Sequence, residues 1–440
     1  MAAMTGLAFV YVVLPVAIAL YLLVPVRARP GALLGFSLLY YFLVSPALLT
    51  YMLAIASADL AILTIMSSYE HNPKARKACL VFSLAKNLGA ILLFQGVMQG
   101  WQAGPETALG LYVVTLSGFG CVLEAYRRQI PKDISPARFA LYLFFFPRLA
   151  AGPLISYREF IPQLDLPGAS PAQMGRGFCV FLQGAVKFRL LGEGLHIFYE
   201  TLRQIPHEEV SVLGIWVGVL ALALSVYLRF SGCADIARGI ASMLGISLPK
   251  NFNYPFEAKS VGDFFARFNF SLTDYLRETL GPRYSDSLIG LLVLGVASGL
   301  WFGLSVGRLA WGVYLALFLL LERILYPAFV KRAPAPLGRI YALLVILPSF
   351  ALFGADSLSE IALTAAGMFG FAGLPPDSDR LWYLLASNRL LIIAGAILAT
   401  SALTRIGTYF KTRSTPSGAA AALTVLASLV LLALLSAFLL

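Results

Sequence analysis

The chain has 440 residues, of which 59% are hydrophobic and only 12% are charged, whereas an ordinary soluble domain carries about 25% charged residues. Because so few charged side chains cannot coat a soluble fold of this length, the composition excludes a soluble enzyme, a disordered tail and a disulfide-stabilised secreted scaffold. The sequence therefore predicts an all-α polytopic membrane protein.

The formal net charge of +11 does not indicate a nucleic-acid partner. The basic residues recur in short clusters between apolar runs, which is the pattern that sets membrane topology. The four cysteines, Cys79, Cys121, Cys179 and Cys233, lie far apart in apolar surroundings and form no CxxC pair. We expect free thiols, no metal centre and no bound cofactor.

The apolar runs predict about 11 membrane spans, since a spanning helix needs about 20 mostly apolar residues. The first span is predicted at Leu7–Val26, and Ala32–Met66 is long enough for two helices that meet near Pro46. Further spans are predicted at Cys79–Met98, Leu109–Ala125, Ser287–Leu304, Leu309–Leu325, Ile340–Leu352, Leu391–Ala402 and Ala419–Leu440. No internal repeat is visible, so we expect one transmembrane domain over residues 1–440.

The loops between the first spans alternate in charge, and this predicts the orientation of the chain. Three basic clusters fall on one side: Arg27 with Arg29, Lys74 with Arg76 and Lys77, and Arg127 with Arg128 and Lys132. The segment Gln99–Thr107 on the other side has no basic residue. The positive-inside rule then predicts cytoplasmic basic loops and an N-terminus outside the cell.

Two segments mix apolar with polar residues, and we expect broken or interfacial helices in both. Phe139–Gln163 contains prolines, glycine and arginines, and Tyr227–Glu278 carries a high density of ionisable groups. Charged residues at membrane depth persist only where they are packed in protein or line a cavity. Such groups are expensive, so both segments are candidates for a functional site.

Six short segments, in order, carry a recognisable pattern: Leu143–Leu164, Phe230–Gly239, Leu248–Phe256, Phe264–Arg277, Gly299–Gly303 and Trp311–Tyr314. Together they closely resemble the membrane-bound O-acyltransferase (MBOAT) family, in particular its bacterial branch that acetylates alginate and other exopolysaccharides. The matched core covers roughly residues 115–325.

The resemblance implies a bundle of membrane helices with re-entrant and interfacial helices around a tunnel. In such a bundle, an acyl thioester (acyl-CoA or an acyl carrier) enters from the cytoplasm and an acceptor hydroxyl enters from the other side. It also implies a multi-pass protein of the bacterial inner membrane, in contact with membrane lipid. Periplasmic acyl-transfer or polysaccharide-export proteins are the partners that the resemblance suggests.

The chain departs from the family pattern at the position of the general base. The family motif reads Gly-Leu-Trp-His-Gly, whereas this chain has Trp301 followed by Phe302, and a phenylalanine cannot accept a proton. Asn269 stands where the bacterial branch often has a second histidine, and its amide can orient an acceptor or a carbonyl. The resemblance therefore makes Asn269 and Trp301 the candidate catalytic residues.

The remaining histidines offer little replacement for the missing base. His71 and His207 lie in segments that we expect to be exposed loops, and His196 lies in an apolar run where a packed or interfacial histidine is typical. Whether His196 compensates for Phe302 is left open by the sequence.

The candidate substrate-binding residues are the polar side chains of the matched segments: Arg148, Asp235, Asn251, Asn253, Tyr254 and Arg267. Arg148, between a proline and a glycine, is a candidate for binding an anionic group such as a phosphate. For the other five residues, the sequence is consistent with a structural role as well as with substrate binding.

These structural roles follow from spacing. Asp235 and Arg238 are three residues apart on one helix face and fit mutual neutralisation. Arg267 opens a charge pattern that is also typical of ion pairs on an interfacial amphipathic helix. Asn251, Asn253 and Tyr254 lie between two prolines. The sequence there is consistent with either a fixed turn or an acyl-binding loop.

Two functions fit these residues. The first is a divergent acyltransferase that moves an acyl, acetyl-like group from a thioester to a hydroxyl of an exported glycan or small acceptor, with the base absent or supplied by substrate or water. The second is a catalytically inactive relative that acts as a binding, assembly or export partner. The sequence alone does not settle whether the chain is an enzyme.

Overall fold

The computed structural model describes residues 2–101, 105–150, 152–166, 168–282, 284–324, 334–402, 404–405 and 418–439. Regular secondary structure in these ranges is helical, and one isolated antiparallel bridge joins Phe252 and Phe268. The chain divides into two compact units, one of residues 1–181 with 233–250 and one of residues 182–232 with 251–440. A single transmembrane domain therefore stays a prediction.

Many of the earlier helices begin at a proline. Proline fixes φ near the helical value, and its missing N–H costs nothing in the first turn, where that donor would have no helical partner.

The first eleven helices in chain order are α1 Ala2–Thr5, α2 Leu14–Leu23, α3 Arg29–Val44, α4 Pro46–Ser68, α5 Pro73–Trp101, α6 Pro105–Tyr126, α7 Pro136–Phe144, α8 Tyr157–Phe160, α9 Pro171–Val186, α10 Gly194–Arg203 and α11 Val212–Met243. A π-helical turn, Lys187–Glu193, joins α9 to α10.

Several later helices begin instead at a capping serine, whose hydroxyl accepts a hydrogen bond from a backbone N–H of the first turn. Ser260, Ser287, Ser357 and Ser378 cap in this way. The helices are α12 Val261–Phe265, α13 Phe270–Leu280, α14 Leu288–Leu300, α15 Val306–Ile324, α16 Ala335–Phe353, α17 Leu358–Met368, α18 Asp379–Leu398 and α19 Gly418–Leu439.

Five of the described helices are long and apolar enough to cross a membrane: Pro46–Ser68, Pro73–Phe94, Val212–Met243, Ala335–Phe353 and Asp379–Leu398. Shorter apolar helices lie at Phe9–Leu23, Gly110–Tyr126, Leu288–Leu300, Leu358–Met368 and Leu426–Ala437. The all-helical membrane class is confirmed, while the count of about 11 spans and the enclosed tunnel stay predictions. The two predicted helices that meet near Pro46 are confirmed, because α3 ends at Val44 and α4 begins at Pro46.

The two mixed segments behave differently. Residues Phe139–Gln163 form short helices, a 3-10 turn at Phe146–Ala150 and extended backbone, as predicted. In Tyr227–Glu278 the expected break comes only after Met243: α11 continues unbroken to that residue, and a loop and the short helices α12 and α13 follow. The polar residues of α11 are tolerated since Asp235 and Arg238 pair on one face of the helix, with Nη1 of Arg238 2.8 Å from Oδ1 of Asp235.

The first unit contains a buried polar cluster that the sequence analysis missed. Asp59 of α4 is fully buried, and Nζ of Lys86 on α5 lies 2.7 Å from its Oδ2. Ser83 and Asn87 of α5 donate hydrogen bonds of 3.1 Å and 3.2 Å to its Oδ1. Gly118 of α6 provides the room, since a Cβ there would overlap this carboxylate. The cluster joins α4 to α5 within two candidate spans.

We expect Asp59→Leu to lower the free energy of unfolding by about 3–5 kcal/mol, because it leaves the Lys86 ammonium buried without its counter-charge. The double variant Asp59→Leu/Lys86→Met removes both charges and should recover most of this loss. Thermal unfolding of the purified protein in detergent measures both effects. Lys74→Met, at an exposed position on α5, is the control and should change stability by no more than about 0.5 kcal/mol. An Asp59→Leu variant as stable as that control would contradict the role of the pair.

Candidate functional site

The second unit places Asn251 and Asn269 side by side. Residues 251–254 and 267–271 run antiparallel, with the N–H of Asn253 donating to the carbonyl of Arg267 at 2.9 Å. Nδ2 of Asn251 donates to Oδ1 of Asn269 at 2.8 Å, and Oδ1 of Asn251 accepts from the N–H of Ser271 at 3.0 Å. Both oxygens of the amide pair are therefore engaged, which fixes the two side chains in one orientation.

Asn269 holds a backbone conformation that few residues adopt. Its φ is +49°, in the left-handed region, at the residue that precedes α13. Asparagine is among the few non-glycine residues that enter this region readily. The side chain is only 4% exposed, and its Nδ2 has no hydrogen-bond partner among the described residues. An unpaired buried donor costs about 1–3 kcal/mol, so this amide is a candidate for binding a carbonyl oxygen.

Phe302 packs inside a cluster of aromatic rings. Its ring centroid lies 4.5 Å from that of Phe230, 5.4 Å from Phe353, 6.0 Å from Phe268 and 6.1 Å from Trp311. The side chain is 6% exposed. Phe268 directly precedes Asn269, so the cluster adjoins the amide pair. None of these five rings can accept a proton.

Close backbone packing brings the two helices of this cluster together. A Cβ on Gly295 of α14 would lie only 2.5 Å from the carbonyl oxygen of Gly312 on α15. These glycines let α14 approach α15 closely, and they position Phe302 after α14 against Trp311 of α15. Trp311 is fully buried, and its Nε1 is a second donor without a partner among the described residues. The sequence analysis quoted Trp311 as part of a motif but did not select it as a site residue.

The other candidates of the second unit stabilise the turns around Asn269. Nε of Arg267 lies 2.7 Å from Oδ1 of Asp263, and its Nη1 donates to the carbonyl of Asn253 at 3.4 Å. Tyr254 is left-handed with φ +48°, and its hydroxyl shares a hydrogen bond with that of Thr404. Trp301 is buried at the C-terminal end of α14.

Arg148 and Asp235 lie in the first unit. Arg148 is 1% exposed, donates to the carbonyl of Tyr142 at 2.9 Å and to the hydroxyl of Ser117, and its Nε has no partner among the described residues. No carboxylate pairs with it in the described ranges, and its guanidinium lies 5.0 Å from the centroid of the Tyr142 ring. A buried guanidinium without a counter-charge is costly, which supports Arg148 as an anion-binding residue.

His196 lies on α10, in the second unit. Its ring packs on Tyr199 at a centroid distance of 6.3 Å, and its Nδ1 is buried without a partner among the described residues. Burial, with the positive charge of Arg229 nearby, lowers the pKa of His196 below its ordinary value. The imidazole is thus neutral near pH 7, but its described contacts are not with Asn269 or Phe302.

A cavity of about 370 Å³ adjoins the aromatic cluster within the second unit. Phe350 lines it and packs on Trp311 with a centroid distance of 6.0 Å. Gly354 also lines it, where any side chain would collide with Tyr199 and Leu222. Polar groups at its edge are Arg203, Glu209 and Glu360, and Arg203 and Glu360 form an ion pair of 2.6 Å. The cavity is a candidate binding space that the sequence could not reveal, because its walls come from distant helices.

Several known proteins are similar in sequence to this chain. The chain is 26% identical over 270 residues to a probable alginate O-acetylase, AlgI, of Pseudomonas aeruginosa, which covers 60% of this chain and 52% of the relative. It is 26% identical over 250 residues to a peptidoglycan O-acetyltransferase of Helicobacter pylori, covering 54% of this chain and 47% of the relative. A teichoic acid D-alanyltransferase of Bacillus subtilis is 24% identical over 230 residues, covering 48% and 58%.

The chain thus spans about half the length of these curated relatives. The sequence model of the family described as "MBOAT, membrane-bound O-acyltransferase family" matches residues 120–359, which is more than half of the chain. The resemblance read from the six motifs is confirmed. The chain belongs to the membrane-bound O-acyltransferase family.

Proposed function

We propose that this protein transfers an acyl group, acetyl or of similar size, from a thioester donor to a hydroxyl of an exported glycan or small acceptor. The buried Nδ2 of Asn269, which has no hydrogen-bond partner among the described residues, is the observation that carries the proposal. The names of the relatives support the acceptor class, because they name alginate, peptidoglycan and teichoic acid, which are all polymers.

In the proposed reaction, the acceptor oxygen attacks the thioester carbonyl carbon, and the C–S bond breaks as the ester C–O bond forms. Nδ2 of Asn269 donates to the carbonyl oxygen as negative charge develops on it. The amide needs no reorganisation, because Asn251 already fixes it. The surrounding rings exclude water, which strengthens this dipole.

The hydroxyl proton has no imidazole to accept it at position 302. We propose that it passes through water or the acceptor to the departing thiolate, so the products are an ester and a free thiol. This route forgoes general base catalysis, which typically contributes about 10²–10⁴-fold. We therefore expect this protein to turn over more slowly than a family member that has the histidine.

Two further groups have proposed roles in binding. In the first unit, Arg148 is proposed to bind an anionic group such as a phosphate, which would supply the counter-charge that the described carboxylates do not provide. The cavity of about 370 Å³ is proposed to admit the acceptor. With the basic loops cytoplasmic, the N-terminus outside and the protein in the inner membrane, the acceptor side faces the periplasm, where acyl-transfer or export proteins would be the partners.

A second candidate function is a catalytically inactive binding or assembly partner. The packing of Phe302 favours it, because four rings surround position 302 and none of these ring contacts supplies a titratable group among the described residues. In this case the helices and the cavity are retained for recognition, and the chemistry at Asn269 is dispensable.

We expect Asn269→Asp to reduce transfer of labelled acetyl from acetyl-CoA to a hydroxyl acceptor by about 10²–10³-fold in proteoliposomes. Aspartate keeps the shape and the oxygen that accepts from Asn251, but it replaces the free N–H donor with a carboxylate that repels the developing charge. Asn72→Asp is the matched control, since Asn72 is an exposed helix cap and aspartate also caps helices.

Transfer by the wild type no faster than by empty liposomes would rule out the acyltransferase, provided that a histidine-containing family enzyme is active in parallel. A cellular phenotype that survives Asn269→Asp at normal expression would then support the inactive partner.

We also expect the pH profile of transfer to show no imidazole inflection. If His196 were the general base, the rate would fall as the pH drops through its pKa, which lies below the ordinary value of about 6.5. The measurement is the transfer rate between about pH 5 and 8, for the wild type and His196→Gln, with His71→Gln as control. Superimposable profiles are expected, and an inflection that only His196→Gln removes would assign the base to His196.

A further inference from the structure

The segment that leads into Asn269 is anchored at its start by a buried carboxylate from another helix. Oε1 of Glu322 on α15 accepts from the N–H of Val261 at 2.5 Å, and Oε2 accepts from the N–H of Gly262 at 3.0 Å. Both N–H groups belong to the first turn of α12, where they have no partner within the helix. Glu322 is only 7% exposed, and hydrogen bonds from backbone N–H groups to a carboxylate are stronger than those to a neutral oxygen.

α12 depends on this anchor because it is very short. It contains only the five residues Val261–Phe265, whereas isolated helices of fewer than about 12–15 residues are marginal in water. Ser260 caps the N–H of Asp263 at 3.0 Å. Glu322 satisfies the two N–H groups of the first turn that this serine does not reach.

The chain between α12 and Asn269 is short and tightly packed. The N–H of Phe268 donates to the carbonyl of Phe264 at 2.8 Å, and the two rings stack with their centroids 4.9 Å apart. The hydroxyl of Thr273 donates to the carbonyl of Phe265 at 3.2 Å, which joins α12 to α13 on the far side of Asn269. Because close-packed interiors transmit strain, a displacement of α12 would move Asn269.

One face of α15 supports both ends of this segment. Glu322 follows Trp311 by about three helical turns, or about 16 Å, which places the two side chains on the same face of α15. Glu322 holds the start of the segment, and the Trp311 ring lies 6.2 Å from the ring of Phe268 at its end. α15 therefore sets the position of Asn269 relative to the aromatic cluster.

We propose that Glu322 is a positioning residue for the amide of Asn269. Its carboxylate fixes the start of α12, and the packed segment carries that position to Nδ2 of Asn269. The proposal rests on the proposed acyl transfer, in which this Nδ2 donates to the thioester carbonyl. Misplacement of a reacting group by about 1 Å can cost about 10²-fold in rate, so the loss of Glu322 lowers kcat without weakening binding of the donor.

The test measures transfer of labelled acetyl from acetyl-CoA by the full chain in proteoliposomes, with rates expressed per folded molecule. Glu322→Leu removes both acceptor oxygens and should lower kcat by about 10²-fold, with the KM for acetyl-CoA within about twofold of the wild type. Glu322→Gln keeps the length and one acceptor oxygen, so it should recover about tenfold of this loss. If Glu322→Leu fails to fold, Glu322→Gln carries the test with an expected loss of about tenfold.

Glu124→Gln is the matched control, in the first unit. Glu124 is also a buried carboxylate, and it accepts from the N–H groups of Tyr157 and Arg158 at 3.2 Å and 3.1 Å, at the start of the short helix α8. Its substitution should leave kcat per folded molecule within about twofold of the wild type. Equal losses of kcat in Glu124→Gln and Glu322→Gln, or a change at Glu322 that affects only KM, would overturn the proposal.

A second measurement does not depend on turnover. In protein labelled with ¹⁵N-asparagine, the side-chain amide signal of Asn269 is identified by its absence from Asn269→Asp. We expect Glu322→Gln to shift this signal and Glu124→Gln to leave it in place. An unshifted signal in Glu322→Gln would overturn the positioning role, whereas a shifted signal with no transfer by the wild type would support positioning and count against acyl transfer alone.

Discussion

The hydrogen bond between the side chains of Asn251 and Asn269 is the interaction on which the rest of the site depends. It occupies the oxygen of Asn269 and so leaves the nitrogen as the free end of the amide. The left-handed backbone of Asn269 and the antiparallel pairing of residues 251–254 with 267–271 hold that nitrogen in a buried position. A buried donor without a partner is tolerated only at a cost, and binding of a carbonyl oxygen would remove that cost.

The aromatic cluster around Phe302 determines what this donor can do. Rings at 4.5–6.1 Å keep the neighbourhood apolar, which strengthens a single dipole but supplies no proton acceptor. The same packing therefore favours electrostatic stabilisation over acid–base chemistry. The slow turnover of the proposed function follows from this packing.

The membrane class and the family were predictable from the sequence, because low charge and six ordered motifs are properties of the chain itself. Pro46 predicted a helix boundary correctly since a proline at a first helical position needs no tertiary context. The spacing of Asp235 and Arg238 predicted their pairing on one helix face. The point at which the helix ends, after Met243, was not predictable from the charges of the segment. Asp59 and Lys86 were missed for a related reason, since single charges 27 residues apart show no pattern until two helices pack.

Within the candidate site, the sequence indicated Asn269 and the absence of a base at Phe302. It could not indicate that Asn251 orients Asn269, or that Phe350 and Phe353 of α16 complete the cluster. Nor could it indicate that Nε1 of Trp311 has no hydrogen-bond partner among the residues that the structure describes. These residues are brought together by packing between α14, α15 and α16, which no local spacing records.

The most direct measurement is a structure of the full chain with a non-hydrolysable thioester analogue, such as the ketone analogue of acetyl-CoA in which a methylene replaces the sulfur. The account predicts that Nδ2 of Asn269 lies within about 2.7–3.2 Å of the analogue's carbonyl oxygen, with the bond to Asn251 unchanged. A bound analogue whose carbonyl contacts another donor, with Asn269 still unpartnered, would contradict it.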